Sequence, residues 1–231
     1  MIEIKDLNQL YGGTQILWDL NLSVEPGSCT CIMGRNGVGK TTLLKCLMGL
    51  LPVSSGEILY DGQPIQKKTA EFRAHNGIGY VPQGRDIFPL LTVEENLRLG
   101  LPCRKDKAQK IPEKIFQLFP VLKDMLQRRG GDLSGGQQQQ LAIGRALVIE
   151  PKVLILDEPN EGIQPNIVKQ IGDVITLLNK EEGLTVILVE QKLGFARKVG
   201  HSFRLMDKGK VVASNAMSEL SEQLIKQHLA V

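Results

Sequence analysis

A chain of 231 residues, 42% of them hydrophobic, can build a proper core and is too apolar for a disordered segment. Its net charge of +3 comes without runs of Lys and Arg, which excludes the usual nucleic-acid footprint. The four cysteines, Cys29, Cys31, Cys46 and Cys103, include one close pair and no second pair to complete a zinc site, so they read as reduced, packed thiols.

The opening MIEIKDLNQLYGG carries acids early and has no apolar h-region, so no signal peptide is expected. Apolar–polar alternation over residues 2–4 and 20–24, with a turn at Pro26-Gly27, predicts short strands leading to a buried strand at 30–33. A glycine-rich turn and a helix over about 40–49 follow. Residues 57–60 read as a strand entering a tight Asp61-Gly62 turn, and 78–81 as another strand. From Thr92 to about Glu150 the pattern is helical. Thr92 and Glu95 resemble a capping box, Ile115, Leu118, Phe119 and Leu122 step at helical spacing, and a helix is expected to start near Gln138. Runs at 153–156 and 186–189 read as buried parallel strands flanking a helix over 167–178, and the tail from 217 to 231 as an amphipathic helix. The expected fold class is α/β: a mainly parallel sheet with an N-terminal antiparallel β subdomain and a helical insertion over about 86–150, within one domain spanning 1–231. No run of about eighteen apolar residues occurs, so the chain is not expected to span a membrane.

Three motifs carry chemistry. Residues 34–41, Gly-Arg-Asn-Gly-Val-Gly-Lys-Thr, fit G-x-x-x-x-G-K-[ST] between a strand and a helix. The glycines let backbone N–H groups wrap a phosphate, Lys40 reaches the β- and γ-phosphates, and the Thr41 hydroxyl ligates Mg²⁺. Residues 153–158 form an apolar strand ending in Asp157 and Glu158. Asp157 is placed to hold Mg²⁺ through water, and Glu158 to orient or deprotonate the attacking water. Residues 133–137, Leu-Ser-Gly-Gly-Gln, precede a helix and form a second anion cradle, expected to grip a nucleotide held by another subunit. Gln83, after Tyr80-Val81-Pro82, puts an amide at a strand end where it can sense Mg²⁺ and the γ-phosphate.

With these motifs in this order, the whole chain resembles an ATP-binding cassette (ABC) nucleotide-binding subunit with a P-loop NTPase core. The resemblance implies ATP and Mg²⁺ as cofactors, and nucleotide contacts from Gly34, Arg35, Asn36, Gly37, Val38, Gly39, Lys40, Thr41 and Thr42. It adds Ser134, Gly135, Gly136 and Gln137 from the facing subunit of a head-to-tail dimer, and Tyr11 stacking on adenine. It assigns the metal to Thr41, Gln83 and Asp157. The partners it implies are transmembrane permease subunits, a second ATPase subunit or another copy, and indirectly a periplasmic solute-binding protein, with the chain peripheral on the cytoplasmic face. Residues 81–97 and 157–165 resemble the branched-chain amino acid and urea importers, with 87–91 most like the urea-transporter subunit. Arg85, Phe88 and Leu91 are the candidates for meeting a membrane subunit.

Two positions depart from the common family pattern. Gln164 stands where an Asp usually follows in the D-loop, and Gln191 occupies the switch position usually held by His. An amide donates a neutral hydrogen bond, roughly half as strong as a charge-assisted one, so slower hydrolysis at this chain's own site is expected. The alternatives are a weakly hydrolysing regulatory cassette and a soluble cassette acting on ribosomes or DNA. The latter lacks its usual second cassette, zinc insertion or coiled coil here.

Overall fold

The alternating N-terminal residues form two long strands, β1 (Ile2–Tyr11) and β2 (Thr14–Val24), paired antiparallel around a Gly12-Gly13 turn. Their apolar residues, Ile2, Ile4, Leu7, Leu17, Leu20 and Val24, all turn inward. The computed structural model describes residues 1–229. β3 (Cys29–Met33) is buried at every position and runs into α1 (Lys40–Leu47). β4 (Ser55–Tyr60) turns on Asp61 and Gly62, both at positive φ, into the two-residue β5 (Gln63–Pro64). α2 (Ala70–His75) and β6 (Ile78–Val81) lead to the helical segment.

That segment contains α3 (Val93–Arg98), α4 (Glu113–Leu118), α5 (Pro120–Asp124) and α6 (Gly135–Val148). Thr92 and Glu95 close a true capping box on α3. The periodic stretch around Phe119 splits into two short helices because Pro120 has no N–H to continue the first. α6 begins at Gly135, three residues before the expected start. Ser134 accepts from the Gln137 N–H while the Gln137 side chain returns to the Ser134 N–H, which holds two glycines in the first turn.

The chain then alternates: β7 (Val153–Asp157), α7 (Pro165–Glu182), β8 (Thr185–Val189), α8 (Leu193–Val199). It closes with the antiparallel pair β9 (Ser202–Asp207) and β10 (Lys210–Ala216), and α9 (Glu222–His228). The tail is therefore not one helix. A single 3-10 turn at Met217–Glu219 stops at Leu220, Ser221 caps α9, and Ala230 and Val231 lie outside the described residues.

Two sheets result. A four-stranded antiparallel sheet runs β2-β1-β4-β5, and a six-stranded sheet runs β10-β9-β3-β8-β7-β6, parallel except for β10. The larger sheet is covered on both faces, which is why its strands read as unbroken apolar runs. Leu154 and Leu156 pack on the side of α6 and α7, while Val153 and Ile155 pack toward α1 and the antiparallel sheet. Cys29, Cys31 and Cys46 are buried and all four cysteines are free. Among the described residues, no helix is long and apolar enough to cross a membrane.

Candidate functional site

The carboxyl ends of β3, β7 and β8 meet at one edge of the parallel sheet, where loops of an α/β fold collect ligands. The turn after β3 is held by its glycines. Gly39 sits at φ 104, and a Cβ there would stand 3.0 Å from a Leu17 methyl, so only glycine fits both the conformation and the space. Gly34 is tighter still, since a Cβ would fall 2.4 Å from the Met206 carbonyl oxygen. Lys40, at the start of α1, is 5% exposed and folds back to donate to the Gly34 and Arg35 carbonyls, each at 2.8 Å. Burial lowers its pKa, and the charges of Glu158 and Asp157 oppose that shift. The turn, Thr41 and Thr42 line a cleft of about 590 Å³ together with Ile16, Gln83, Glu158, Glu161 and Gln191.

Asp157 closes β7 beneath the cleft and is 1% exposed. Both its carboxylate oxygens are buried without a hydrogen bond of normal geometry. Burial pushes its carboxyl pKa up; the nearby Thr41 hydroxyl opposes the shift and the Glu158 charge adds to it. Two unpartnered oxygens beside a hydroxyl suit a hard cation that draws its other ligands from phosphate and water. Among the described residues no cluster of three or more His, Cys, Asp or Glu could hold a metal ion.

Glu158 does not continue the strand. Its φ of 48 turns the side chain into the cleft, 4.0 Å from Lys40 Nζ. The Gln191 amide donates from one nitrogen to Glu158 Oε1 at 2.6 Å and to Asn36 Oδ1 at 2.7 Å, so it ties the phosphate loop to the carboxylate. Gln83 faces the same cleft and donates to Glu161 Oε2 at 3.0 Å. Beyond it Gly84, Arg85 and Asp86 run through three successive positive φ angles of 83, 74 and 46. That path brings the Arg85 guanidinium to Gln138 Oε1 and to the Glu161 carbonyl, both at 3.2 Å. A Cβ on Gly135 would stand 3.3 Å from this guanidinium, so the signature helix starts directly against it.

The structure thus gathers Asn36, Gly37, Gly39, Lys40, Thr41, Thr42, Gln83, Glu158 and Gln191 at one cleft, with Asp157 below. Gly34, Arg35 and Val38 belong to the turn without lining the cleft. Ser134, Gly135, Gly136 and Gln137 line a separate cleft of about 600 Å³ with Gln164 and Ile167. Tyr11 stands exposed at the end of β1 outside the first cleft, which Ile16 lines from β2. Phe88 and Leu90 are exposed and Leu91 is partly buried. Sequence reasoning missed Asn96, fully buried, which exchanges hydrogen bonds with both backbone groups of Phe88 and also donates to the Leu91 carbonyl. It also missed Glu161, whose carboxylate and carbonyl hold the segment after β6.

A family model described as "ABC transporter" matches residues 17–161. The chain is 40% identical over 213 residues to the high-affinity branched-chain amino acid transport ATP-binding protein BraG of Pseudomonas aeruginosa, covering 92% of this chain and 91% of that protein. It is 35% identical over 223 residues to the probable branched-chain amino acid transport ATP-binding protein LivF of Archaeoglobus fulgidus, covering 96% and 94%. Among solved structures, the dimeric bacterial ABC transporter cassette MJ0796 superposes with a TM-score of 0.85 at 27% identity, over 94% of this chain and 99% of that one. Its post-hydrolysis state bound to ADP and Pi gives a TM-score of 0.85 at 26% identity, over 94% and 99%.

Proposed function

The chain belongs to the ABC transporter ATP-binding family, and from that premise we propose that it powers an importer of branched-chain or polar amino acids. It is an ATPase. The observation that carries the mechanism is the convergence of Lys40, Glu158 and Gln191 on one cleft above the buried Asp157.

The N–H groups of the glycine turn and Lys40 bind the phosphates, with the dipole of α1 adding to them. Thr41 and Asp157 would hold Mg²⁺, which would supply positive charge against the phosphates. Glu158 takes the proton of the attacking water, and Gln191 orients it from the side. Gln83 leaves Glu161 to reach the γ-phosphate. Tyr11 packs on the adenine ring. The second cleft, Ser134 to Gln137, faces the nucleotide of a paired cassette, either a second copy or a related subunit. Exposed Phe88 and Leu90 beside Arg85 form the surface that meets a transmembrane subunit on the cytoplasmic side, and a solute-binding protein delivers cargo to that assembly. The single ATPase domain spans 1–231, with 86–150 as its helical part.

Amino acids as solutes rest on the likeness to BraG and LivF. Urea remains a second solute, favoured only by the resemblance of residues 87–91. Uptake of labelled leucine and labelled urea in cells with and without the chain separates the two. The chemistry is tested by Glu158→Gln, which is expected to retain ATP binding while turnover falls more than about 100-fold. Unchanged turnover overturns the role of Glu158.

A further inference from the structure

β8 runs into a carboxylate that is withdrawn from water. Glu190 is 3% exposed, and its backbone N–H donates to the Ile32 carbonyl of β3. Its Oε1 accepts two successive backbone N–H groups, from Gln191 and Lys192, each at 2.8 Å. Its Oε2 accepts from the Asn160 side-chain amide. Asn160 is fully buried three residues beyond Asp157, and the Lys192 ammonium returns to its carbonyl at 2.9 Å.

A buried carboxylate is costly unless its lone pairs are filled, and hydrogen bonds to the charged form are the strong kind. These bonds clamp the loop after β8 onto the segment after β7. What the clamp fixes is the backbone of Gln191, an exposed residue whose flexible side chain would otherwise sample many rotamers. Its amide instead reaches both Asn36 and Glu158 within 2.7 Å. Asn160 also keeps a buried Oδ1 without a partner, so its amide has room in hydrogen bonding to turn over.

We propose that Glu190 is a positioning residue for ATP hydrolysis: anchored on Asn160, it fixes the Gln191 backbone so that the Gln191 amide aims the Glu158 carboxylate. The inference rests on Glu158 as the base that activates water. Orientation errors of about 1 Å cost on the order of 100-fold in rate, so a loose Gln191 loop lowers kcat rather than ATP affinity.

The test compares Mg²⁺-dependent ATP turnover of the full chain for wild type, Glu158→Gln, Glu190→Ala, Glu190→Gln, Gln191→Ala and the Glu190→Ala/Gln191→Ala pair. Glu190→Ala is expected to lower kcat about tenfold or more with KM for ATP within about twofold. Glu190→Gln is expected to recover most of it, because the new amide keeps an acceptor for both N–H groups and gives its own N–H to a turned Asn160. The paired variant is expected to match Gln191→Ala alone. Additive losses, or a fall in ATP affinity equal to the fall in kcat, overturn the inference. A wild-type turnover that Glu158→Gln leaves unchanged overturns the reading beneath it instead. Backbone amide exchange on the wild-type chain supplies a measurement that no variant's folding affects. Slow exchange at Gln191 and Lys192 is expected, and exchange at open-loop rates overturns the clamp.

Discussion

Asp157 holds a negative charge where the fold gives it little company. Burial raises its carboxyl pKa above the unfolded value, so folding favours the protonated form. Its stabilising contribution is present below the unfolded value of about 3.9 and is lost as pH rises through the folded pKa. At neutral pH the nucleotide-free chain therefore carries a cost. Asp157→Asn is expected to raise the Tm of that chain at about pH 7 to 8 by roughly 2–4 °C, with the gap closing as pH falls. Thermal melts across a pH series check it, and a constant gap at every pH would refute the assignment. The same variant is expected to lose the extra stability that Mg²⁺ adds to the ATP complex. Gln191 gives a second pH signature. An amide does not titrate, so Gln191→His is expected to introduce an inflection near about pH 6.5 into kcat that the wild-type profile lacks.

At the scale of elements, α1 carries the phosphate turn at one end and depends on Arg73 at the other. This guanidinium, 1% exposed on α2, donates to the carbonyls of Cys46, Leu47, Ile65 and Lys68. Burial lowers its pKa to about 10, so it stays charged at neutral pH and complements the negative end of the helix. Arg73→Leu strands those carbonyls and is expected to cost about 2–4 kcal/mol, read as a lower urea midpoint with unchanged slope. Elements whose cause is local were legible in the sequence: the phosphate turn, the strand before Asp157 and the Thr92 box all follow from adjacent residues. The start of α6 was misplaced because two glycines argue against helix, although Ser134 and Gln137 carried the capping signal that decides it. β9 and β10 were not anticipated, since the buried Arg204 puts a charge inside the apolar pattern of β9 and β10 is half-buried to exposed throughout. Glu190 was not singled out from the sequence, because its anchor, Asn160, lies 30 residues away and no motif links the two.

At the scale of the molecule, the phosphate cleft and the signature cleft are lined by different residues, and in the paired arrangement proposed above one chain presents half of each of two sites. Glu158→Gln with ATP and Mg²⁺ is expected to elute at twice the mass of the nucleotide-free chain. Adding Ser134→Glu is expected to abolish that species while ATP still binds the chain's own turn, since a second negative charge then faces the partner's phosphates. Gel filtration with a bound-nucleotide assay decides it. The two regions are joined by the strained run after Gln83. Arg85 and Asp86 each pay on the order of 1–3 kcal/mol to hold a left-handed backbone, and in return one guanidinium grips Gln138 and Glu161 together. Arg85→Gly would relax the strain at that position but release Gln138 and Glu161 from their shared donor. On the docking surface proposed above, it would act as a disengaged clutch: the engine would still burn fuel, but its speed would no longer answer to the load on the membrane side.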